Sequence, residues 1–161
     1  MKEISTNKEP SSKGEGSSVF IKCQSQALVY LGIREHNRRE LRTKLKTKGY
    51  DEDTIKSVLD SLEEDGSLSE ERYVRSFVQS SNKRHPEGKL MLGRRLAEKG
   101  ADRETARRVL DEIYTEQYTQ DLVSRATEDI RKKGRAETDE EIRFTLRKAG
   151  FTSREIQLAN L

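Results

Sequence analysis

The sequence predicts an all-α protein, an elongated tandem array of three three-helix units resembling helix-turn-helix repeats, and three observations predict it. Gly49, Gly100 and Gly150 stand 51 and then 50 positions apart. The residues around them repeat too: Leu41, Leu45, Ile55 and Val58 flank the first, Leu92, Leu96, Ala106 and Val109 the second, Ile142, Leu146, Ile156 and Ala159 the third. Self-similarity at such a period marks one supersecondary unit used several times. Finally, apolar residues recur at helical spacing, and no stretch shows sustained period-two alternation of β-branched residues.

The elements follow in order. Residues 1–18 are rich in Ser, Gly, Lys and Glu, include Pro10, and offer only Met1 and Ile4 as sizeable apolar groups, so a disordered tail is expected. The first unit spans 19–66. Its opening helix carries Ala27, Leu28 and Leu31 and breaks at Glu35-His36-Asn37, where Asn37 suits the N-cap of a second helix bearing Leu41 and Leu45. Glu40 then falls at N3, as a capping box requires. Gly49 fits the left-handed position that ends many helices. Asp51 caps a third helix carrying Ile55, Val58, Leu59 and Leu62, which Gly66 ends.

The second unit spans 67–117. Ser67 or Ser69 opens a helix with Tyr73, Val74, Phe77 and Val78, and Pro86 and Gly88 mark the loop after it. Leu90, Leu92 and Leu96 lead to Gly100, and Asp102 caps a helix with Ala106, Val109, Leu110 and Ile113. The third unit spans 118–161: Leu122, Ala126 and Ile130, a break at Gly134, a capping box from Thr138 to Glu141, and a short last helix from about Thr152. A unit of about 50 residues buries little surface by itself, so packing against neighbours is expected to help.

Only 31% of the residues are hydrophobic and 38% are charged, so apolar side chains must be concentrated on narrow stripes. The net charge of +3 conceals an alternation in blocks: residues 21–50 carry eight Lys or Arg against two Asp or Glu, 51–71 one against nine, and 72–109 eleven against four. Such a pattern presents basic ridges to nucleic acid or an acidic partner while acidic helices face elsewhere. The single cysteine, Cys23, forms no internal disulfide, and no apolar run is long enough to cross a bilayer. The N-terminus lacks the apolar segment of a secretory signal, so a cytoplasmic location and no membrane partner are expected.

No catalytic constellation is legible. The two histidines, 36 and 85, lie far apart, and His36 stands among Arg34, Arg38 and Arg39, which repel a cation; a structural or phosphate-contact role is expected for it rather than metal binding. Gly88-Lys89 lacks the earlier glycine and the following Ser or Thr of a phosphate loop. A protein that is not an enzyme, with no metal and no cofactor, is expected.

The basic ridges carry the functional signal. Arg38, Arg39, Arg42, Lys44, Lys46 and Lys48 crowd the first unit's second helix, with Arg84, Lys89, Arg94, Arg95 and Lys99 in the corresponding place of the second unit. Arg143, Arg147 and Lys148 follow in the third. Two readings stand open: a phosphate-binding track whose affinity falls with salt, or solvated cations paired with the acidic third helices. Groove reading by the first unit is disfavoured, because Asp51-Glu52-Asp53 open the helix that would enter the major groove. Arg103, Arg107 and Arg108 make the second unit a better candidate, while Tyr73 and Phe77 are expected in the core.

The residues also resemble a known family. Ala27-Leu28-Val29-Tyr30-Leu31, then Arg34-Glu35-His36 and Arg39-Glu40-Leu41, are similar to the opening signature of the RecX regulatory proteins of bacteria. Gly66-Ser67-Leu68-Ser69-Glu70-Glu71-Arg72-Tyr73-Val74 with Phe77-Val78 resembles the central signature, and Leu96-Ala97-Glu98-Lys99-Gly100-Ala101 the segment after it. The sequence departs from the family pattern at Glu70, Lys89 and Arg95.

The resemblance implies a crescent of three units that lies in the groove of a RecA recombinase filament on single-stranded DNA and inhibits ATP hydrolysis and strand exchange. It thereby implies a regulator of homologous recombination and the SOS response. Arg34, Arg38, Arg39 and Arg42 of the first unit, with Arg72, Arg75, Lys89, Arg94 and Arg95 of the second, are assigned to that contact. For Arg72 an ion pair with Glu70 or Glu71 is the competing role. Duplex DNA is an additional candidate ligand, a monomer is expected, and a sequence-tolerant DNA-binding or transcription-associated protein is the alternative.

Overall fold

The computed structural model describes residues 13–159. Among them are nine helices and no strand: α1 (Lys13–Ile33), α2 (Arg38–Thr47), α3 (Glu52–Glu64), α4 (Glu70–Arg84), α5 (Lys89–Glu98), α6 (Arg103–Ile113), α7 (Glu116–Lys132), α8 (Asp139–Lys148) and α9 (Ser153–Leu158). The helix pairs that pack most extensively all lie within one group of three: α1 to α3, α4 to α6, or α7 to α9. Each group closes over its own apolar cluster. Cys23, Ala27, Leu41, Leu45, Ile55, Val58, Leu59, Leu62 and Leu68 fill the first. Leu92, Leu96, Val109 and Leu110 are central to the second, and Leu122, Ile142, Leu146 and Ile156 to the third.

Local signals repeat with the period. Asp51, Asp102 and Thr152, equivalent positions of the three units, each cap the third helix by accepting from the backbone N–H three residues on. Asn37 and Thr138 do the same for α2 and α8, and Ser69 caps α4. Both Thr138 to Glu141 and Thr152 to Glu155 form complete capping boxes. Gly49, Gly100 and Gly150 hold φ of 90°, 77° and 92°, a left-handed conformation in which a side chain is strained.

Three expectations are corrected. The first helix begins at Lys13, so residues 13–18 are helical rather than part of the tail; residues 1–12 lie outside the described residues. Cys23 and Ala27 bury the same helix in the first core, and this tertiary anchorage outweighs the poor helix propensity of its Ser and Gly residues. The last three helices begin before residue 118, because Thr115 caps α7 by accepting from the Tyr118 N–H. Glu40 does not close the box with Asn37, since its carboxylate is taken by Arg34 (2.9 Å) and by the Tyr73 hydroxyl (3.3 Å).

The groups join through one device used twice. The Asn37 amide, at the start of α2, donates to the carbonyl of Lys99 at 3.2 Å, just before Gly100. Fifty-one positions on from Asn37, Gly88 at the start of α5 donates its backbone N–H to the carbonyl of Ala149 at 2.8 Å, just before Gly150. The second helix of each of the first two groups thus begins against the glycine turn of the next. At the second joint the backbones approach so closely that a Cβ on Gly88 would overlap the Gly150 carbonyl. This explains why Gly88 stands there.

Candidate nucleic-acid and partner interface

The first joint sets the surroundings of the first group's arginines. Glu70 accepts from the backbone N–H of Asp102 (2.7 Å) and of Arg38 (3.4 Å), so α2, α4 and α6 meet at one carboxylate; its burial pushes the Glu70 carboxyl above its ordinary value. Arg72 pairs across the joint with Glu35 at 2.8 Å and donates to the Ser67 carbonyl, and not to Glu70 or Glu71 as the sequence suggested. Burial, then the Glu40 charge beside it, pushes the Tyr73 phenol up to about 12. Tyr73 belongs to the core, as expected.

Most of the nominated cations are paired. Arg38 bridges Asp60 and Glu63 on α3, and Lys89 holds Asp111 on α6, the equivalent position one repeat later. Arg42 and Lys46 share Glu52, whose carboxyl their hydrogen bonds hold below its ordinary value. Arg75 and Arg108 form a four-membered network with Glu71 and Glu112, and Arg95 pairs with Glu87. Among the described residues, Arg39 and Arg94 have no carboxylate partner. The basic second helix of the first unit therefore does pair with its acidic third helix, and in the second unit Lys89 does the same with Asp111. These pairs are exposed, and exposed pairs contribute about 0–1 kcal/mol, so a phosphate or a partner carboxylate can replace either member at small cost.

The nine residues do not converge on one site. Arg34 and Arg95 share a hollow of about 370 Å³ between the first two groups, together with Phe77, Arg84 and Lys99, which the sequence reading did not assign to the contact. Arg95 and Lys99 lie over the half-buried Phe77 ring at 5.2 and 5.9 Å. Arg38, Arg39 and Arg42 line a second hollow at the joint, where Arg39 lies across Gly100. Lys89 and Arg94 line a third, on α5 and α6. Arg72 and Arg75 are spent on pairs outside these hollows.

His36 is structural. It is buried, with Nδ1 2.9 Å from the Arg34 carbonyl and the Tyr30 ring tilted beside it, which removes it from contact with phosphate. Its Nε2 is buried without a partner, and burial lowers its pKa. The second joint is also polar. The Asn82 amide donates to the hydroxyls of Tyr114 (2.9 Å) and Tyr118 (3.2 Å) and accepts from the Glu87 N–H, while Arg125 donates to the Asn82 carbonyl. Neither joint has a one-residue sequence signal, because each spans 32 to 62 positions. Among the described residues no helix is long and apolar enough to cross a membrane, and no three His, Cys, Asp or Glu residues gather as metal donors.

Residues 23–62 match the first three-helix domain of RecX. The regulatory protein RecX of Pelodictyon phaeoclathratiforme is 31% identical over 137 residues, a match covering 83% of each chain. That of Halorhodospira halophila is 32% identical over 140 residues, covering 87% of this chain and 83% of its own. The chain belongs to the RecX family. A shorter match, to the RecX protein of Prosthecochloris aestuarii, is 37% identical over 91 residues and spans 60% of that protein. The RecX fold is shared as well. A crystal structure of RecX from Lactobacillus salivarius superposes with a TM-score of 0.76 at 21% identity, over 89% of this chain and 96% of that one. A second RecX crystal structure gives 0.78 at 17% identity, over 98% and 81%. The array of helices is thus a RecX array, and RecX proteins are named as regulators.

Proposed function

We propose that this chain is a non-enzymatic, cytoplasmic regulator that binds the RecA filament on single-stranded DNA as a monomer and inhibits its ATP hydrolysis and strand exchange. Family membership over 83% of both chains carries the reading. The geometry supports it in one respect: a joint used twice fixes three units head to tail, so exposed cations on α2 and α5 are held in a constant relation to one another. Single-stranded DNA is the expected nucleic acid, and duplex DNA a weaker one.

In this proposal Arg34, Arg38, Arg42, Arg72, Arg75, Lys89 and Arg95 meet filament carboxylates and phosphates by exchanging their internal partners, and Arg39 and Arg94 meet them directly. The proposed units, expected at 19–66, 67–117 and 118–161, correspond to the helix groups α1 to α3, α4 to α6 and α7 to α9. The test is a titration of DNA-dependent ATP hydrolysis by RecA. Hydrolysis is expected to fall at protein levels too low to coat the DNA and to stay low when competitor DNA is added. Suppression only near saturation of the DNA, relieved by competitor, would point to the sequence-tolerant DNA binder instead.

A further inference from the structure

The α5–α6 face of the second unit differs from its two copies in a way that the fold does not require. Here Leu90, Gly93, Ala97, Ala101 and Ala106 border a groove of about 410 Å³ over the side chain of Leu110, which also packs in the core. The first unit fills the same space. Its equivalents of Gly93, Ala97 and Ala101 are Arg42, Lys46 and Tyr50, and Tyr50 packs on the first core. In the third unit the same positions hold Arg143, Arg147 and Phe151, with Phe151 buried. Both copies thus place one aromatic ring and two long cations at these three positions, where the second unit has only small residues.

Charge changes with shape. At the first turn of the third helix the first unit has Glu52, which neutralises Arg42 and Lys46; the equivalent here is Arg103. Arg94, Arg103 and Arg107 stand around the groove, and none of them has a carboxylate partner among the described residues. Two nearby acids are engaged elsewhere, Asp111 by Lys89 and Asp102 as the cap of α6 through the Thr105 N–H, while Glu98 on α5 and Glu104 on α6 form no ion pair with the three arginines among the described residues. Leu90, 65% exposed, adds an apolar wall. An apolar floor under three unpartnered guanidiniums matches a ligand that brings one bulky apolar side chain flanked by carboxylates.

We propose that this groove is a docking site for a short acidic segment of a partner protein, seating one large apolar side chain over Gly93 and Ala101 and pairing its flanking carboxylates with Arg94, Arg103 and Arg107. The first unit's Tyr50 and Glu52 supply from within the chain the ring and the carboxylate that a partner supplies to the second. The site shares Lys89 and Arg94 with the residues proposed for the recombinase contact, but it does not depend on that reading and is tested without any filament.

The experiment uses the full chain and a short fluorescein-labelled peptide in which aspartates and glutamates flank a single phenylalanine, read by fluorescence anisotropy. The wild-type chain is expected to bind it at least tenfold more tightly than the same peptide with serine for phenylalanine. Two variants import residues of the first unit: Ala97→Lys with Ala101→Tyr fills the groove, and Arg103→Glu reverses its rim. Each is expected to weaken binding at least tenfold while helix content by circular dichroism and the urea midpoint stay near the parent's. Equal affinity for the serine peptide, or unchanged affinity in the filled variant, overturns the proposal. So does displacement of the peptide by oligothymidylate whose own binding falls equally in both variants, which would make the face a nucleic-acid surface. Should peptide binding fail while RecA inhibition stands, the groove is wrong and the recombinase reading is not.

Discussion

His36 shows how one buried group couples this fold to pH. Burial without a partner for Nε2 lowers the imidazole pKa below its ordinary 6.5. The unfolded chain therefore takes up the proton first, and stability is lost as pH falls through about 6.5. Urea unfolding is expected to show a falling midpoint between about pH 7 and pH 5.5, and His36→Gln, which takes no proton, a flatter profile. Gly88 makes a steric rather than an electrostatic prediction. With the Gly150 carbonyl against it, Gly88→Ala is expected to cost about 1–3 kcal/mol in urea unfolding, and at the N-cap of α5 alanine offers no compensating gain. Residue-level reading of the sequence succeeded where the cause was local, as with Asn37, Asp51, Asp102 and Thr138, whose cap partners lie three positions away. It failed for Arg72, because adjacent residues on a helix point apart and Arg72 reaches Glu35 across the joint instead.

Among the elements, the periodicity made the glycine turns and their flanking helices legible, since a turn with positive φ and two amphipathic stripes are written in neighbouring residues. Helix starts were less legible. The first begins at Lys13 because packing of Phe20, Cys23 and Ala27 extends a helix that propensity alone does not favour. The short α9 depends on its cap more than any other helix. Thr152→Ala removes a complete capping box and is expected to cost about 1 kcal/mol, with accelerated amide exchange confined to residues 153–158. The second joint rests on Asn82, which is buried and serves Tyr114, Tyr118 and Glu87 at once. Asn82→Ala leaves the Glu87 N–H without its acceptor and both hydroxyls without this donor, Tyr114 keeping only its bond to the Glu87 carbonyl, and is expected to cost about 2–3 kcal/mol in thermal unfolding.

At the scale of the whole molecule, the charge blocks marked which helices are basic and which acidic, but not how they are spent. The answer is divided: in the first unit Arg38, Arg42 and Lys46 of the second helix pair with the third, whereas in the second unit only Lys89 does so, through Asp111, and among the described residues Arg39, Arg94, Arg103 and Arg107 keep no carboxylate. The hollow between the first two units was invisible in the sequence, because it combines residues from the α1–α2 connection, α2, α4 and α5 whose proximity only the joint creates. The charge-reversed set Arg38→Glu, Arg39→Glu and Arg42→Glu is expected to reduce RecA inhibition at least tenfold, with the effect shrinking as salt rises. Retained helix content would separate that loss from unfolding.

The most direct measurement is co-sedimentation of the chain with RecA filaments on single-stranded DNA, beside naked DNA at equal phosphate concentration. The account predicts that filaments retain the chain at concentrations where naked DNA holds little of it. Equal retention by both, or retention by naked DNA alone, would contradict it.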